Sequence, residues 1–339
     1  MKKANIITLN GYRNYGNRLQ NFALTLVLKR MGVEVRTVWN RGLKETIITK
    51  IKHLPFFSSK YPKEHKLYNF TRIYNSSAIP FSNPDYTIYG SDQVWNPNSV
   101  KTNKYLLEKK KDKSIQVSYA ASMGVQDLTK SQREQYKKAL SDYGSISVRE
   151  ISAKNLLQSL IPKNTIEVVL DPTLLLGKSE YEKIEKRPKN LIENDKYILC
   201  YILGNRDHEE IIEKFAKEKG YKTIYFSDKR DSDYGVEEFL YLIHHAQLVC
   251  TDSFHACVFS FIFERPFVAF KRTGEANYMY TRLQNLIETF QLKNREYNGK
   301  EITKENLEVD YTEAKKILKK EQKKSLDFLK RALDIKGNE

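Results

Sequence analysis

The sequence predicts an α/β protein with two domains, each built on a parallel β-sheet that is flanked by helices. Short apolar runs typical of buried strands alternate with helix-like runs along most of the 339 residues. A charged segment with little apolar content, residues 178–196, separates the runs into two sets. The chain is also longer than the roughly 250–300 residues at which single cores stop growing. We therefore expect two Rossmann-like domains that face one another across a cleft.

The domain boundaries follow from these changes in composition. We expect an N-terminal Rossmann-like domain at residues 1–177, a linker at 178–196 and a C-terminal Rossmann-like domain at 197–311. The last segment, residues 312–339, carries apolar residues at roughly helical spacing among many lysines. This pattern predicts a basic surface helix with one docked face and one solvated face.

In the first domain, each expected strand is a short apolar run that ends near turn-forming residues. The strands are residues 4–9, 33–38, 86–89, 115–120, 145–148 and 167–170. The helices are residues 18–31, 130–140 and 152–160. A basic, aromatic segment at 41–82 has no clear periodicity and predicts helical insertions.

The second domain repeats the alternation of strand and helix without any sequence repeat that relates it to the first. Its strands are residues 197–203, 223–226, 246–250 and 266–270. Its helices are residues 209–219, 236–245 and 256–263, followed by a final helical region. Ligands of such sheets bind beyond the carboxyl ends of the strands, which is where we look for functional residues.

The formal charge of +16 restricts the choice of partners. A large positive charge suits nucleic acid, an anionic membrane surface or an anionic substrate. No nucleic-acid motif accompanies the dense basic stretches at residues 44–66, 101–113 and 315–331, so we do not expect nucleic acid as a partner. An anionic substrate, and peripheral contact with an anionic membrane surface, remain as expectations.

Cysteine usage and hydropathy predict a cytoplasmic location. The three cysteines, Cys200, Cys250 and Cys257, lack the spacing of a disulfide framework or a structural zinc site. The N-terminus is too polar for a signal peptide, and no apolar run approaches the length of a transmembrane helix.

One histidine stands out. The run LVCTDSFHACVFSFIF, residues 248–263, places His255 at the turn between a strand and a helix, with Ser253 just before it. The start of a helix offers unpaired backbone N–H groups and a positive dipole end, so an anion could dock there while the imidazole gives or takes a proton. The alternative is a half-buried histidine beside a helix cap.

Three basic residues follow predicted strands directly. Arg149 follows the strand at 145–148, where its guanidinium could grip a carboxylate or phosphate. The alternative for Arg149 is an ion pair with Glu150 or another acid. Lys271 and Arg272 follow the strand at 266–270 and form a second cationic point, unless they are simply a solvated pair.

Two turns in the first domain carry polar side chains suited to sugar hydroxyls. The turn GYRNYGNRLQNFAL, residues 11–24, contains Asn14, Asn17, Arg18 and Gln20. Its glycine spacing fits neither a dinucleotide fingerprint nor a phosphate loop, and the alternative is a helix cap with solvated amides.

The second turn, GSDQVWNP at residues 90–97, contains Asp92, Gln93 and Trp95. A tryptophan beside acidic and amide side chains is frequent in sugar sites, although Trp95 could equally belong to the core.

We expect no metal ion and no cofactor. His244 and His245 are adjacent on a predicted helix, so their side chains should diverge rather than face one metal. The acidic triplet at 231–233 lies in a polar loop and is better explained as a cap of the helix that follows.

Several segments together resemble the polysaccharide pyruvyl transferase family, and they occur in the order that the family has. They are GYRNYGNRLQNFAL (11–24), YGSDQVWNP (89–97), YAASMG (119–124), ISVRE (146–150), VVLDPTLLL (168–176) and TDSFHACVFSFIFERPFVAFKR (251–272). The resemblance implies a GT-B-like glycosyltransferase architecture with the active site in the cleft. It also implies metal-independent transfer of the enolpyruvyl group of phosphoenolpyruvate onto a sugar as a ketal.

The resemblance assigns roles to individual residues. It implies that His255 is the catalytic acid, and that Arg149 and Lys271, or Arg272 in place of Lys271, bind the donor. Other branches of the family carry an arginine two residues before the histidine, where this chain has Ser253. The resemblance then requires another cation near the donor, supplied by Arg272 or Arg282.

The prediction is therefore a transferase of cell-surface, cell-wall or exopolysaccharide biosynthesis. Its donor substrate is phosphoenolpyruvate, and its acceptor is a sugar or lipid-linked oligosaccharide bound by the two polar turns. One alternative is a nucleotide-sugar-dependent glycosyltransferase of the same architecture. A second is a non-catalytic protein that binds an anionic polymer.

Overall fold

The computed structural model divides the chain into two compact units. It describes residues 1–9, 14–38, 51, 60, 62–74, 81–98, 113–191, 195–226, 233–272 and 280–335. Unit 1 comprises Met1–Phe57, Tyr68–Leu176 and Lys320–Glu339, and unit 2 comprises Ser58–Leu67 and Gly177–Lys319.

Unit 1 contains a six-stranded parallel sheet. Its strands are β1 (Lys3–Ile7), β2 (Glu34–Thr37), β3 (Tyr86–Tyr89), β4 (Ile115–Ala121), β5 (Ser145–Val148) and β6 (Ile166–Val168), in the order β2-β1-β3-β4-β5-β6. Within the described residues, the helices up to residue 160 are α1 (Tyr15–Arg30), α2 (Pro62–Tyr74), α3 (Lys130–Leu140) and α4 (Ile151–Leu160). Every described pairing in this sheet is parallel, as expected where helices connect consecutive strands.

The core of unit 1 lies between the sheet and its helices. Helix α1 is buried along most of its length, and its buried residues include Leu19 and Leu24 as well as polar side chains of its first two turns. A second cluster gathers side chains from the ends of β3 and β5 and from helices α3 and α4, Tyr136 and Leu157 among them. Each fully buried side chain of this size stabilises the fold by about 1.5–3 kcal/mol.

Unit 2 contains a four-stranded parallel sheet. Its strands are β7 (Tyr197–Tyr201), β8 (Lys222–Tyr225), β9 (Leu248–Thr251) and β10 (Phe267–Ala269), in the order β10-β9-β7-β8. The remaining helices are α5 (Lys178–Glu182), α6 (Glu209–Lys219), α7 (Val236–His245), α8 (Phe254–Ile262), α9 (Tyr280–Thr289) and α10 (Thr312–Ala332). All nine residues of α8 are buried, which explains why this helix is apolar on every face.

The strand order reverses once in each sheet. In unit 1 the reversal lies between β1 and β3, and in unit 2 it lies between β7 and β9. At such a point the loops after two neighbouring strands diverge to opposite faces of the sheet and leave a crevice where ligands bind. The residues beyond β1, β3, β7 and β9 are therefore the first place to look for a functional site.

The two predicted Rossmann-like domains are confirmed by these two parallel sheets with their helices. All the strands and helices assigned individually from the sequence are present, with ends displaced by at most three residues. Helix α2 lies in the segment predicted to hold helical insertions, and residues 39–50, 52–59, 61 and 75–80 of that region are outside the described residues. Within the described residues, no helix has both the length and the apolar character needed to span a bilayer.

The segment predicted as a linker, residues 178–196, forms part of unit 2. It begins with α5, and Tyr181 of that helix is fully buried with its ring edge-to-face on Phe259, at a centroid distance of 4.9 Å. The buried aromatic ring of Tyr181 therefore helps to dock a segment that is mostly charged. At the other end of the chain, residues 320–339 belong to unit 1 rather than to a separate helix segment.

Candidate active site

The carboxylate of Asp252 organises the strand ends at the reversal point of unit 2. Asp252 follows β9, and its two oxygens accept the backbone N–H groups of Leu203 at 2.8 Å and Gly204 at 2.7 Å, just beyond β7. The Arg272 Nε also donates to Asp252, at 3.1 Å, from the end of β10. One buried carboxylate thus ties together the ends of three adjacent strands.

His255 lies in the first turn of α8, immediately beyond this carboxylate. Its residue exposure is 6%, and its ring packs edge-to-face on Phe254 at 5.1 Å. The preceding turn is fixed by Thr251, whose hydroxyl donates to the Tyr201 carbonyl at 2.5 Å and accepts the N–H of Ser253 at 3.0 Å. The turn therefore holds the start of α8, and His255 with it, at the carboxyl edge of the sheet.

Two cations extend from the end of β10, which pairs with β9. The Lys271 side chain is 61% exposed; its ammonium is 3.0 Å from Glu296 and lies over the ring of Tyr280 at 5.3 Å. Arg272 is held against Asp252, with 12% of its side chain exposed. Both cations are therefore paired with a carboxylate, but the Lys271 side chain stays largely in solvent, whereas Arg272 is mostly buried.

Ser253 stands two residues before His255, where other branches of the family carry an arginine, and Arg282 is one of the two residues that could replace that arginine. Ser253 is the N-cap of α8 and is buried, without a capping hydrogen bond from its side chain. Arg282 of α9 is 8% exposed, and its guanidinium lies 6.0 Å from the centre of the Phe254 ring, whose edge contacts His255. Arg282 therefore brings positive charge to the neighbourhood of His255 through an intervening aromatic ring.

Arg149 is buried in a cluster of carboxylates in unit 1. Its guanidinium donates to Asp171 at 2.5 Å and to Asp92 at 3.2 Å, and the three side chains are 3%, 0% and 6% exposed. Burial lowers the pKa of Arg149, but the charges of Asp171 and Asp92 outweigh this effect, so the pKa is raised above its usual value. Of the two alternatives drawn from the sequence, the ion pair is the one that the structure contains.

The crevice between β1 and β3 is bridged by a buried amide. The Gln20 Nε2 donates to the Thr8 hydroxyl at 2.8 Å, and its Oε1 accepts the N–H of Ser91 at 3.1 Å. The Thr8 hydroxyl donates in turn to the Ser91 carbonyl at 2.9 Å. Gln20 is therefore engaged on both ends of its amide and fixes the turn after β3.

The other residues of the first polar turn lie at the start of α1. The Asn14 side chain accepts the N–H of Asn17 at 3.2 Å and caps the helix, while Asn14 itself remains partly exposed. Asn17 is 9% exposed and Arg18 is fully buried. Gly11 lies outside the described residues. The helix-cap alternative therefore describes Asn14, and burial removes Asn17 and Arg18 from the surface.

The second polar turn, like the first, contains both buried and partly exposed residues. Asp92 is buried against Arg149, whereas Gln93 is partly exposed. Trp95 is fully buried, with its ring edge-to-face on Tyr143 at 5.8 Å and its carbonyl accepting the Tyr136 hydroxyl at 2.6 Å. Trp95 is thus a core residue rather than an exposed platform for a sugar ring.

The expectation that His244 and His245 diverge is wrong. Both rings reach the carboxylate of Glu185, with His244 Nδ1 at 2.9 Å and His245 Nε2 at 3.5 Å. The two histidines occupy the last two positions of α7, and their ring centres are 4.5 Å apart. Residues 231 and 232 of the acidic triplet lie outside the described residues.

Sequence reasoning missed three carboxylates that organise these loops. From the sequence, Asp252 and Asp171 receive no functional role, and Glu150 is named only as an alternative partner of Arg149. Glu150 in fact accepts the Ser122 hydroxyl at 2.9 Å and the N–H groups of Met123 at 2.9 Å and Gly124 at 3.2 Å. The one available signal was position, since each follows a predicted strand within three residues.

The sequence of this region decides the family. Residues 14–273 match the sequence model of the polysaccharide pyruvyl transferase family, which is well over half of the chain. The chain belongs to the polysaccharide pyruvyl transferase family. The matched range contains His255, Arg149, Lys271 and Arg272, and the family is one of transferases. No curated protein matches the chain as a whole.

This pyruvyl transferase family member is also similar to several solved structures. One is the UDP-GlcNAc 2-epimerase from Neisseria meningitidis bound to UDP-GlcNAc, at 12% identity and a TM-score of 0.48, covering 96% of this chain and 100% of that chain. The UDP-GlcNAc 2-epimerase from Methanocaldococcus jannaschii is 14% identical with a TM-score of 0.46, covering 94% and 92%. MurG of Acinetobacter baumannii is 9% identical with a TM-score of 0.37, covering 98% and 100%.

Proposed function

We propose that this chain is a pyruvyltransferase that moves the enolpyruvyl group of phosphoenolpyruvate onto a sugar as a ketal, in the synthesis of a cell-surface polysaccharide. One observation carries the proposal. Strands β9 and β10 are neighbours, so the loop bearing His255 and the cations Lys271 and Arg272 leave the same edge of the unit 2 sheet. A proton donor beside two cations suits a donor with a carboxylate and a phosphate.

The donor site lies at the carboxyl ends of β9 and β10. The exposed ammonium of Lys271 supplies a charge for the phosphate or carboxylate, and the first turn of α8 adds backbone N–H groups and the positive end of the helix dipole. Asp252 holds Arg272 at this edge, so Arg272 acts there as a fixed rather than a mobile cation. Arg282 is the replacement for the arginine missing at Ser253.

One general acid–base group, His255, accounts for the first two proton transfers of the proposed reaction. His255 in its protonated form gives a proton to the methylene carbon of phosphoenolpyruvate, and the adjacent carbon becomes an oxocarbenium ion. A sugar hydroxyl attacks that carbon and loses its proton to the imidazole. Phosphate then leaves with the bonding electron pair, and a second hydroxyl closes the ketal and transfers its proton to the phosphate. The products are the ketal and hydrogen phosphate, and the chemistry needs no metal or cofactor.

The acceptor side is assigned to the polar turns of unit 1. Asn14 and Gln93 are the partly exposed members of the predicted set, and they are the residues that we propose to contact sugar hydroxyls. Arg149 is a positioning residue in this scheme, because its guanidinium anchors Asp92 within the turn that carries Gln93. The direct donor contact that the family resemblance implies for Arg149 stays a prediction.

The cellular setting of the proposal is cytoplasmic, where phosphoenolpyruvate would meet a sugar or lipid-linked oligosaccharide. Peripheral contact with an anionic membrane would use the lysines of α10, such as Lys319 and Lys323, which are exposed. A lipid-linked acceptor would favour such contact, because it would concentrate the enzyme near its substrate.

Phosphate release tests the proposed function. The purified chain is incubated with phosphoenolpyruvate and a panel of sugar and lipid-linked acceptors, and inorganic phosphate is measured with and without each acceptor. We expect acceptor-dependent release that falls at least a hundredfold in His255→Gln. His245→Gln is the matched control, because His245 belongs to the same unit but lies at the end of α7 and is not among the residues assigned to donor binding. Full activity in His255→Gln would contradict the assigned acid.

A further inference from the structure

We infer that Glu185, His244 and His245 form a binding site for a transition-metal ion, Zn²⁺ or a similar borderline cation. One ligand atom from each residue lies within 4.8 Å of the others. All three belong to unit 2, so the site is complete within one unit. This inference is independent of the proposed function, because it uses none of the residues assigned to pyruvyl transfer.

The donor set fits the chemistry of such an ion. Two imidazoles and one carboxylate are the ligands typical of zinc sites that keep a fourth position for water, whereas Mg²⁺ and Ca²⁺ prefer oxygen ligands alone. Zinc bonds of roughly 2.1 Å in a tetrahedral arrangement place ligand atoms about 3.4 Å apart. The Glu185 oxygens already lie 2.9 Å from His244 Nδ1 and 3.5 Å from His245 Nε2.

The rings are held in place by packing. His244 stacks on Phe263, with centroids 4.4 Å apart and planes 14° apart. His245 stacks on Tyr241, with centroids 4.1 Å apart and planes 28° apart. Each imidazole therefore approaches Glu185 with little rotational freedom left, and a ligand set that is ordered beforehand loses less entropy when it binds.

Charge around the cluster also favours a cation. His244 and His245 form the end of α7, where the helix dipole is negative. Glu182 adds a second carboxylate, 3.8 Å from His244 Nε2, the ring nitrogen that does not face Glu185. A carboxylate behind a ligating histidine is the usual outer partner that orients the ring and raises its basicity. Lys178, 3.5 Å from Glu182, is the opposing positive charge.

Access to the cluster is one-sided. The side chains of His244 and Glu185 are 10% and 14% exposed, whereas His245 is 42% exposed. An ion can enter from the His245 side and keep a water molecule there. The buried side is closed by Phe263, which follows the last residue of α8.

The position of the cluster gives the ion a structural role. Phe263 lies eight residues after His255 along α8, a separation of about 12 Å at 1.5 Å per residue. The ion would therefore lie near the end of α8 opposite to the proposed acid. It would join the segment after α5, which lies in the predicted linker at residues 178–196, to the end of α7.

Titration of the metal-stripped full chain with ZnCl₂ tests this inference. We expect one Zn²⁺ per chain by calorimetry and by elemental analysis after desalting, with a higher melting temperature. Affinity should fall at least a hundredfold in Glu185→Gln and His245→Ala, and about tenfold in Glu182→Gln. His208→Ala is the matched control and should bind as the wild type does. Replacement of Zn²⁺ by Co²⁺ should give the intense visible absorption of a four-coordinate site.

Two results would overturn the inference. One is absence of stoichiometric Zn²⁺ binding to the wild type, which would leave the cluster as a hydrogen-bonded carboxylate and histidine pair. The other is unchanged binding in both Glu185→Gln and His245→Ala, which would place the ion elsewhere. Because 42% of the His245 side chain is exposed, His245→Ala should fold normally, and its melting temperature without metal verifies this.

Discussion

Replacement of Arg149 by methionine should destabilise unit 1 strongly. The substitution keeps an unbranched side chain and removes the charge that balances Asp92 and Asp171, both of which are buried. Removing one partner of a buried ion pair costs about 3–5 kcal/mol, because the remaining charge stays in a medium of low polarity. For a unit of this size, each kcal/mol lowers the melting temperature by about 2–4 °C, so we expect a decrease of roughly 6–20 °C.

The assay is thermal and urea denaturation, followed by circular dichroism, with Arg331→Met as the matched control. Arg331 also belongs to unit 1 and pairs with Glu167 at 2.9 Å, but these side chains are 60% and 28% exposed. An exposed pair of this kind contributes at most about 1 kcal/mol. Equal effects of the two substitutions would refute the reasoning, and so would an Arg149→Met protein of normal stability whose KM for phosphoenolpyruvate alone is raised.

Three further predictions concern other parts of the fold. Gly32→Ala should lower the free energy of unfolding by about 1–2 kcal/mol, because φ is +77° there while nothing lies within 4 Å of the added Cβ. Gly90→Ala should lower it clearly more, because its Cβ would lie 2.3 Å from the Tyr119 carbonyl oxygen. Equal losses of stability would contradict the packing argument. Burial raises the pKa of Glu237 above 4.5, so its charged form opposes folding at pH 7 and the penalty disappears as the pH falls through the raised value. Glu237→Gln should therefore be more stable than the wild type at pH 7 and equally stable at pH 4, and a difference that persists at pH 4 would argue against this cause. Burial raises the pKa of the Cys200 thiol to about 12, and it also raises the pKa values of Cys250 and Cys257. A disulfide reagent at pH 8 should therefore label the cysteines only after unfolding. Rapid labelling of the folded chain would show that the thiols are accessible.

The elements of the fold were predictable because their signals are local. A run such as Tyr197–Tyr201 is entirely apolar, and in the structure it is buried on both faces at the centre of a parallel sheet. The docking of residues 178–196 was not predictable in the same way. Tyr181, a buried anchor of this segment, stands among charged residues, and its contact with Phe259 joins positions far apart in sequence.

The positions of the candidate site residues were predictable, but their partners were not. Arg149 was placed correctly at a strand end, yet its carboxylates are 22 and 57 residues away in sequence. Trp95 shows a second reason, because a tryptophan suits a core and a sugar site equally well and only the packing distinguishes them. His244 and His245 show a third, because their spacing on a helix does not reveal the stacking on Phe263 and Tyr241 that fixes the two rings.

The central claim, that unit 2 binds phosphoenolpyruvate beside His255, is tested most directly by donor binding in the absence of an acceptor. The melting temperature and the calorimetric affinity are measured with phosphoenolpyruvate and, separately, with UDP. The proteins compared are the wild type, Lys271→Ala and Lys214→Ala. Lys214→Ala is the control, because the exposed ammonium of Lys214 pairs with Glu301 in the same unit. We predict that phosphoenolpyruvate stabilises the wild type and the control, that Lys271→Ala binds it at least tenfold more weakly, and that UDP has no effect. Stabilisation by UDP and not by phosphoenolpyruvate would contradict the account and would favour a nucleotide-sugar-dependent glycosyltransferase.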